Sequence, residues 1–353
     1  MKNYLTLFFI TFSFSLAAQN VIESCKTGQP LIDAVRNLYK PDLTLGYSRA
    51  RDTLYSRIDN NGSTLSGIYT DFTVSLEVGK DPSISVFQNE EGINAEHVYP
   101  QSKGARQEPG RSDMHHVFPS KVSVNSARGS CIFGDIEDSD TEFWFVLGER
   151  LSQMPTTDID AYSEKDEESC VFEPRESVKG DIARAVFYFY TIYQQLADRE
   201  DANFFLRQKA VLLKWHRVDP VSEKELRRND LIAFYQGNLN PFIVDTSLAE
   251  RAFFKEDAVY EPGNPNCVIT SIASLEKEDW VHLQSNVVAN EISLKSTERN
   301  IVTHLVNANG QLLKRQQFDF NTTIPVYDLP NGYYFLVVQS AGLQATFKVA
   351  IIH

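Results

Sequence analysis

The sequence predicts an α+β chain, with a mainly helical N-terminal domain holding a strand–loop–strand–helix unit, followed by a small all-β sandwich. Three observations carry this. Apolar residues recur at helical spacing in mid-chain, as in Ile182, Val186, Phe189, Tyr193 and Leu196. The last stretch holds short β-rich runs punctuated by Asn309-Gly310 and Asn331-Gly332, a strong hairpin signal. Between the two, EPGNPNC interrupts both patterns. The chain has 353 residues, too many for one ordinary core at about 100–200 residues per domain.

Residues 1–18 read as a signal peptide: Lys2, an apolar run from Tyr4 to Leu16, then the small pair Ala17-Ala18. That run falls short of the roughly 20 residues needed to cross a bilayer, so a retained anchor is the weaker reading. Cleavage is expected near Ala18 and Gln19, giving an exported chain. Residues 19–260 then form the first domain, 261–267 a linker and 268–353 the β module.

Composition excludes several classes. With 42% hydrophobic, 23% charged and 12% aromatic residues, the chain is neither disordered, collagenous nor a multi-span membrane protein. Its formal charge of −13 argues against coating nucleic acid by general attraction to phosphate. Any nucleic-acid chemistry must be local.

Within the first domain, NAEHVYP and MHHVFP read as short strands flanking a Gly- and charge-rich loop, and SKVSVNSAR reads as a helix beginning near Ser120 or Ser123. The segment from Asp135 to Glu173 carries thirteen acids against Arg150 and Lys165. It reads as a solvated surface insertion; a calcium loop is the sharper alternative, but DIEDSD lacks the EF-hand spacing. Helical spacing resumes through Ile182 to Leu196 and, less cleanly, through Phe205, Lys209, Leu212 and His216. The stretch from Gln208 to Arg228 is basic, as either a solvated helix face or a phosphate-facing patch. Ser222 followed by Glu225 reads as a capping box that opens a helix running toward Gly237. QGNLNPF looks like a turn pinned by Gln236, Asn238 and Asn240. Arg184 lies off its apolar stripe and faces either phosphate, solvent or a carboxylate.

The four cysteines, Cys25, Cys131, Cys170 and Cys267, contain no CxxC pair, which disfavours structural zinc. In an oxidising compartment disulfides are expected. Cys131 with Cys170 is the favoured pair because both lie in the segment that carries the chemistry; unpaired buried thiols are the alternative.

That chemistry concentrates between Gly92 and Asp135, where three of the seven histidines fall within twenty residues and the net charge is +1. A neutral histidine such as His97 can take a proton from an attacking water. A carboxylate and an amide oxygen, Glu96 and Asn125, offer an oxygen-only shell suited to Mg²⁺ or Ca²⁺ more than zinc. A hard cation there can neutralise charge growing on a phosphoryl centre and stabilise the leaving alkoxide. The reaction this suggests is phosphodiester hydrolysis. Because adjacent strand residues face opposite ways, His115 and His116 are poorly placed to share one metal.

In order along the chain, NAEHVYPQS, DMHHVFP, NSARG, FGD, FEPRESVKGDIARAVFYFY, DPVSEKELRRN and QGNLNPF resemble the endonuclease I family of secreted or periplasmic nucleases. The resemblance covers roughly Val21 to Tyr260 and implies a ββα-metal (His-Me) finger around one divalent ion. By motif position it implies that His97 is the general base, that Glu96 and Asn125 are metal ligands, and that Asp113 and His115 orient the finger from behind. Many members have Asn where this chain has His116, which leaves the function of His116 open. The family also uses a loop arginine near the scissile phosphate. Arg106 and Arg111 are both candidates, and Arg111 is grouped with His97 and Arg128 as catalytic. Arg128 either braces the finger, pairs with an acid or touches phosphate.

The C-terminal module resembles the type A sorting domain of the type IX secretion system, on the hairpin around Asn309-Gly310, LPNGYYFLVV and the final strand ATFKVAII ending at His353. Alternating strands with such turns also describe a small immunoglobulin-like domain. Together the resemblances imply a secreted or cell-surface, sugar-nonspecific endonuclease. It would cut DNA, and RNA as well, to 5′-phosphate products, with Mg²⁺ as cofactor and Ca²⁺ or Mn²⁺ as alternatives, and it would engage the type IX machinery. Two other readings are a zinc hydrolase using His97, Asp113 and His115 or His116, and a non-catalytic surface binding protein.

Overall fold

The computed structural model of the chain describes residues 21–41, 43–260, 264, 267, 280–307, 312–340 and 343–353. The expected signal peptide, most of the expected linker and the Asn309-Gly310 turn lie outside these residues. No described helix is long and apolar enough to cross a membrane.

The N-terminal domain is organised by its longest helix. In chain order, α1 (Gly28–Tyr39), α2 (Tyr47–Thr53) and α3 (Val122–Arg128) precede α4 (Lys179–Val218), which is followed by α5 (Glu223–Gln236). The sequence suggests an apolar stripe along α4; in fact every residue from Ile182 to Tyr193 is buried. A helix that is apolar nearly all round belongs inside a core, and neighbouring elements cover each of its faces. Phe187, Tyr188, Phe189 and Tyr190 form the centre of the main cluster with Val98, Tyr99, Phe118 and Trp215. The backbone leaves helical geometry at Tyr193 and again at Asp201. The Asp201 side chain accepts from the Asn203 amide at 3.1 Å, capping the segment that follows, and holds Lys103 at 2.9 Å.

The Ser222 hydroxyl accepts from the Glu225 amide at 3.1 Å, opening α5, and Gly237 closes the helix at φ 86°. That left-handed angle favours glycine.

Strand β1 (Ile93–His97) pairs antiparallel with β2 (Val117–Lys121), with Glu96 opposite Phe118 and His97 opposite Val117; α3 follows β2 directly. This is the strand–loop–strand–helix unit, with one difference. Met114, His115 and His116 sit in a turn ahead of β2 and are not part of it. The hairpin lies between two cores: Phe118 and Val124 join the cluster around α4, while Ile93, Met114 and Val117 pack with Leu54, Tyr55 and Ile232.

The acidic segment is more than an insertion. With β3 (Ile132–Phe133) it supplies β4 (Phe143–Val146), β5 (Glu149–Leu151), β6 (Ser163–Asp166) and β7 (Val171–Glu173), in the order β3-β7-β6-β4-β5. Asp138 and Asp140 are exposed, whereas Phe145 and Phe172 point aromatic mass into the main core. A disulfide joins Cys131 to Cys170, stapling the parallel β3–β7 pair at its start. A second joins Cys25 to Cys267 across 242 residues of sequence.

The C-terminal module is two sheets over one core. β8 (Val281–Leu283), β10 (Glu291–Ser296) and β13 (Asn321–Pro325) form one, in the order β8-β10-β13. β9 (Val287–Val288), β11 (Ile301–Asn307), β12 (Leu312–Phe318), β14 (Gly332–Ser340) and β15 (Leu343–Ile351) form the other, in the order β9-β15-β14-β11-β12. Ile292, Leu294 and Ile324 from the first meet Leu305, Leu336 and Val349 from the second. Asn331-Gly332 is not a hairpin turn, contrary to the sequence reading. β13 pairs with β10 and β14 with β11 and β15, so the chain at Asn331 is crossing between sheets.

Candidate active site

At the end of β1, two adjacent side chains are directed to different partners. Successive strand residues face opposite sides, so Asn94 and Glu96 lie toward α3 and Tyr69. His97 turns the other way, toward the loop and α2. On the first side, the Asn125 amide nitrogen donates to Asn94 Oδ1 at 2.8 Å and to the Ala95 carbonyl at 3.1 Å. Both protons of that amide are thereby used, and Oδ1 is the atom left to accept a cation. Glu96 Oε1 accepts the Tyr69 hydroxyl at 2.7 Å and lies 3.4 Å from Arg128 Nη1. Its second oxygen has no partner among the described residues. Burial pushes the Glu96 carboxyl above its ordinary range, while Arg128 and Tyr69 pull it back. A divalent cation would add the charge that holds this carboxylate ionised. The two free oxygens therefore fit a hard cation that keeps several waters.

His97 Nε2 lies 2.9 Å from the main-chain oxygen of Arg111. A carbonyl only accepts, so this nitrogen carries the proton and Nδ1 holds the lone pair. Gln101 approaches Nδ1 at 3.3 Å, a long contact that an incoming water can replace. Burial, with His116 next, lowers the His97 pKa to about 3, so the ring is neutral and its base nitrogen available. His116, whose function the sequence left open, is its ring neighbour at 5.5 Å between centroids. Its Nε2 lies 2.6 Å from the Gly110 carbonyl, and burial lowers its pKa to about 4.

Asp113 is fully buried and stands behind the hairpin. It accepts from Tyr188 (2.7 Å), Tyr193 (2.8 Å), Gln236 (2.7 Å) and the His115 amide (3.1 Å). His115 Nε2 lies 2.9 Å from the Asn238 carbonyl. Asn238 in turn donates to Tyr39 O and to the Tyr188 hydroxyl, and Asn240 caps its own turn through the Phe242 amide. These contacts fasten the loop to α4 and to the chain after α5. QGNLNPF is thus the turn the sequence suggests, with the added task of holding Asp113.

For two arginines the surroundings select among the readings the sequence leaves open. Arg128 is 0% exposed; its guanidinium serves the carbonyls of His97, Val98 and Gly129 as well as Glu96. It braces β1 and is closed to phosphate. Arg184 is likewise buried, in a two-pronged pair with Glu225 at 2.6 and 2.7 Å. The basic stretch after Gln208 is neutralised in part: Lys214 meets Asp135, Arg217 meets Glu250 and Arg228 meets Asp59. Of the two loop candidates, Arg106 is exposed, and Arg111 lies over the Tyr47 ring at 4.5 Å. Tyr47 is itself stacked on His97 at 5.6 Å.

Sequence reasoning missed Tyr69, Tyr47 and Asn94. Asn94 and Gln101 fall inside the NAEHVYPQS motif and could have been read from it. Tyr69 and Tyr47 lie outside every motif and reach the site through tertiary packing alone.

The endonuclease I family model matches residues 27–247, and that of the secretion system C-terminal sorting domain matches residues 286–352. The chain is similar to an extracellular ribonuclease of Bacillus amyloliquefaciens, 31% identical over 234 residues that cover 62% of this chain and 72% of that protein. It is also similar to a periplasmic deoxyribonuclease of Aeromonas hydrophila, 28% identical over 149 residues, 40% of this chain and 54% of that protein. A third relative is endonuclease-1 of Buchnera aphidicola, 26% identical over 132 residues, covering 37% and 44%.

Proposed function

The chain belongs to the endonuclease I family and carries a secretion sorting domain, and from that premise we propose that it is a secreted, sugar-nonspecific, metal-dependent endonuclease built on a His-Me finger. It hydrolyses phosphodiester bonds of DNA and RNA, leaving 5′-phosphate ends. The observation that supports this best is the pairing of a neutral, oriented His97 with the free oxygens of Glu96 and Asn125 on one hairpin.

His97 takes the proton of the attacking water at Nδ1, and the Arg111 carbonyl keeps the ring turned for that transfer. Glu96 and Asn125 hold Mg²⁺, with Ca²⁺ or Mn²⁺ as alternatives. When bound, the ion supplies charge stabilisation at the phosphoryl group and the leaving oxygen. Arg111 reaches the scissile phosphate, while Arg128 keeps Glu96 and the His97 backbone in register. Asp113 and His115 position the loop without touching substrate.

Activity on both sugars is supported by relatives whose names record a ribonuclease and a deoxyribonuclease. No recognition helix or zinc-finger motif appears in the sequence, so contacts go to the backbone and sequence preference is weak. The zinc alternative fares worse. Asp113 spends its oxygens on four donors, so it offers no lone pair to a metal shared with His97. Export by the type IX machinery, through the sorting domain, places the enzyme outside the cell or on its surface.

The test is cleavage of supercoiled plasmid and of a folded RNA by the full chain, with Mg²⁺ and with EDTA. Metal-dependent cutting of both is expected. Binding without turnover in any divalent ion would transfer the assignment to a surface binding protein, and stoichiometric zinc that resists EDTA would transfer it to a zinc hydrolase.

A further inference from the structure

On the α2 side of His97, three buried polar atoms meet no partner among the described residues. Tyr47, the first residue of α2, carries two cations on its ring: Arg111 at 4.5 Å and, one turn along the helix, Arg51 at 5.0 Å. The Nε atoms of both arginines are buried and meet no acceptor among the described residues; the Tyr55 hydroxyl, one turn further, is in the same state. Other half-buried or buried guanidiniums of the domain each hold a carboxylate: Arg175 holds Asp71, Arg184 holds Glu225, Arg228 holds Asp59 and Arg128 lies beside Glu96, its Nε alone unpartnered. Buried donors without acceptors are costly, and three of them around one ring mark a place where an acceptor arrives from outside.

Tyr47, Arg51 and Tyr55 border a cavity of about 640 Å³, whose wall also includes Glu77, Lys80 and Asn94. Lys80 is engaged with Glu77 at 2.5 Å, which leaves Arg51 as the unengaged cation of that wall. Asn94 is also the residue whose side chain holds Asn125, so the cavity adjoins the metal-facing side of the hairpin. A planar guanidinium with free donors, flanked by a hydroxyl, suits a phosphate oxygen pair. Arg111 and Arg51 share one ring, so a strand whose scissile phosphate meets Arg111 brings a neighbouring phosphate to Arg51.

Resting on the nuclease reading, we propose that Arg51 and Tyr55 form a second phosphate subsite that holds the phosphodiester adjacent to the scissile one. Arg51 is then a positioning residue: it sets which linkage of a strand lies at His97, and it extends recognition to at least two consecutive phosphates.

The test is a single-stranded oligonucleotide in which one phosphate is replaced by a neutral methylphosphonate, digested by the full chain with Mg²⁺ and mapped by gel. In the wild type, cutting at the linkage on one side of the neutral position falls about tenfold relative to the all-phosphate strand, the effect of losing one charge-assisted contact. In Arg51→Met that side-specific suppression disappears, whereas Arg51→Lys, which keeps the charge, retains it. Because the readout is a ratio between linkages of one strand, it does not depend on the amount of folded variant. Equal suppression in wild type and Arg51→Met, or none in the wild type, overturns the subsite. Absence of cutting anywhere in the all-phosphate strand overturns the nuclease reading and the subsite with it.

Discussion

The ring nitrogen Nε2 of His97 is fastened to the main-chain oxygen of Arg111, fourteen residues away across the hairpin loop, at 2.9 Å. One bond therefore sets both the tautomer of the His97 ring and the position of the loop that carries the neighbouring guanidinium. His97→Ala removes the base and leaves that loop pinned by Asp113 and His116. We expect cleavage to fall by about 10²–10⁴-fold, with thermal unfolding close to wild type. Plasmid nicking at a normal rate by the folded variant would remove His97 from the mechanism.

Glu96 and Asn125 differ in what their loss should do. Asn125→Ala takes away one amide oxygen and two local hydrogen bonds, and should raise the Mg²⁺ concentration for half-maximal activity by roughly tenfold or more. Glu96→Ala also strands the buried Arg128, a change expected to cost about 3–5 kcal/mol of stability. Metal titrations read the first and denaturant melts the second. An unchanged titration in Asn125→Ala would show that its oxygen is not a ligand.

Arg184 offers a contrast to any phosphate-contact reading. Its pair with Glu225 is buried on both sides, so Arg184→Ala should destabilise the fold by about 3–5 kcal/mol while the remaining folded enzyme keeps its kcat and KM. A selective rise in KM for DNA, without a drop in Tm, would contradict this.

Glu164 gives the domain a pH dependence away from the active site. Burial is the main cause that lifts its carboxyl from 4.5 to about 7. The folded state therefore holds a proton that the unfolded state releases, and this group's contribution to stability falls as pH rises from about 4.5 through 7. Glu164→Gln, which mimics the protonated acid beside Thr141, should gain on the order of 1 kcal/mol at pH 8, read as about 2–4 °C in Tm. At pH 4 it should gain nothing. Equal melting of the two proteins at pH 8 would show that Glu164 is already accommodated as an anion.

The proximity of the candidate residues was legible in sequence because it is local: Glu96 and His97 are adjacent and Asn125 follows within the same strand–loop–strand–helix unit. What surrounds them was not. Tyr69 comes from a loop before the hairpin and Tyr47 from α2, so their contacts exist only once two separate cores have formed. Burial was the other hidden quantity. For Arg128 and Arg184, charge alone leaves phosphate and a structural pairing equally open, and their carbonyl and carboxylate partners become apparent only in three dimensions. Strand signals in the β module were sound individually, but the Asn331-Gly332 pair reads identically whether the chain folds back or crosses between sheets.

The bond between Cys25 and Cys267 means that the head and the tail of the catalytic domain close into a covalent ring. A peptidase that trims the β module anywhere beyond Cys267 releases an enzyme with neither end free to fray, a useful property for a protein at work among extracellular proteases. Severing the chain at Tyr260 instead would open the ring and leave the β module held to the domain only by the sulfur bridge to Cys25.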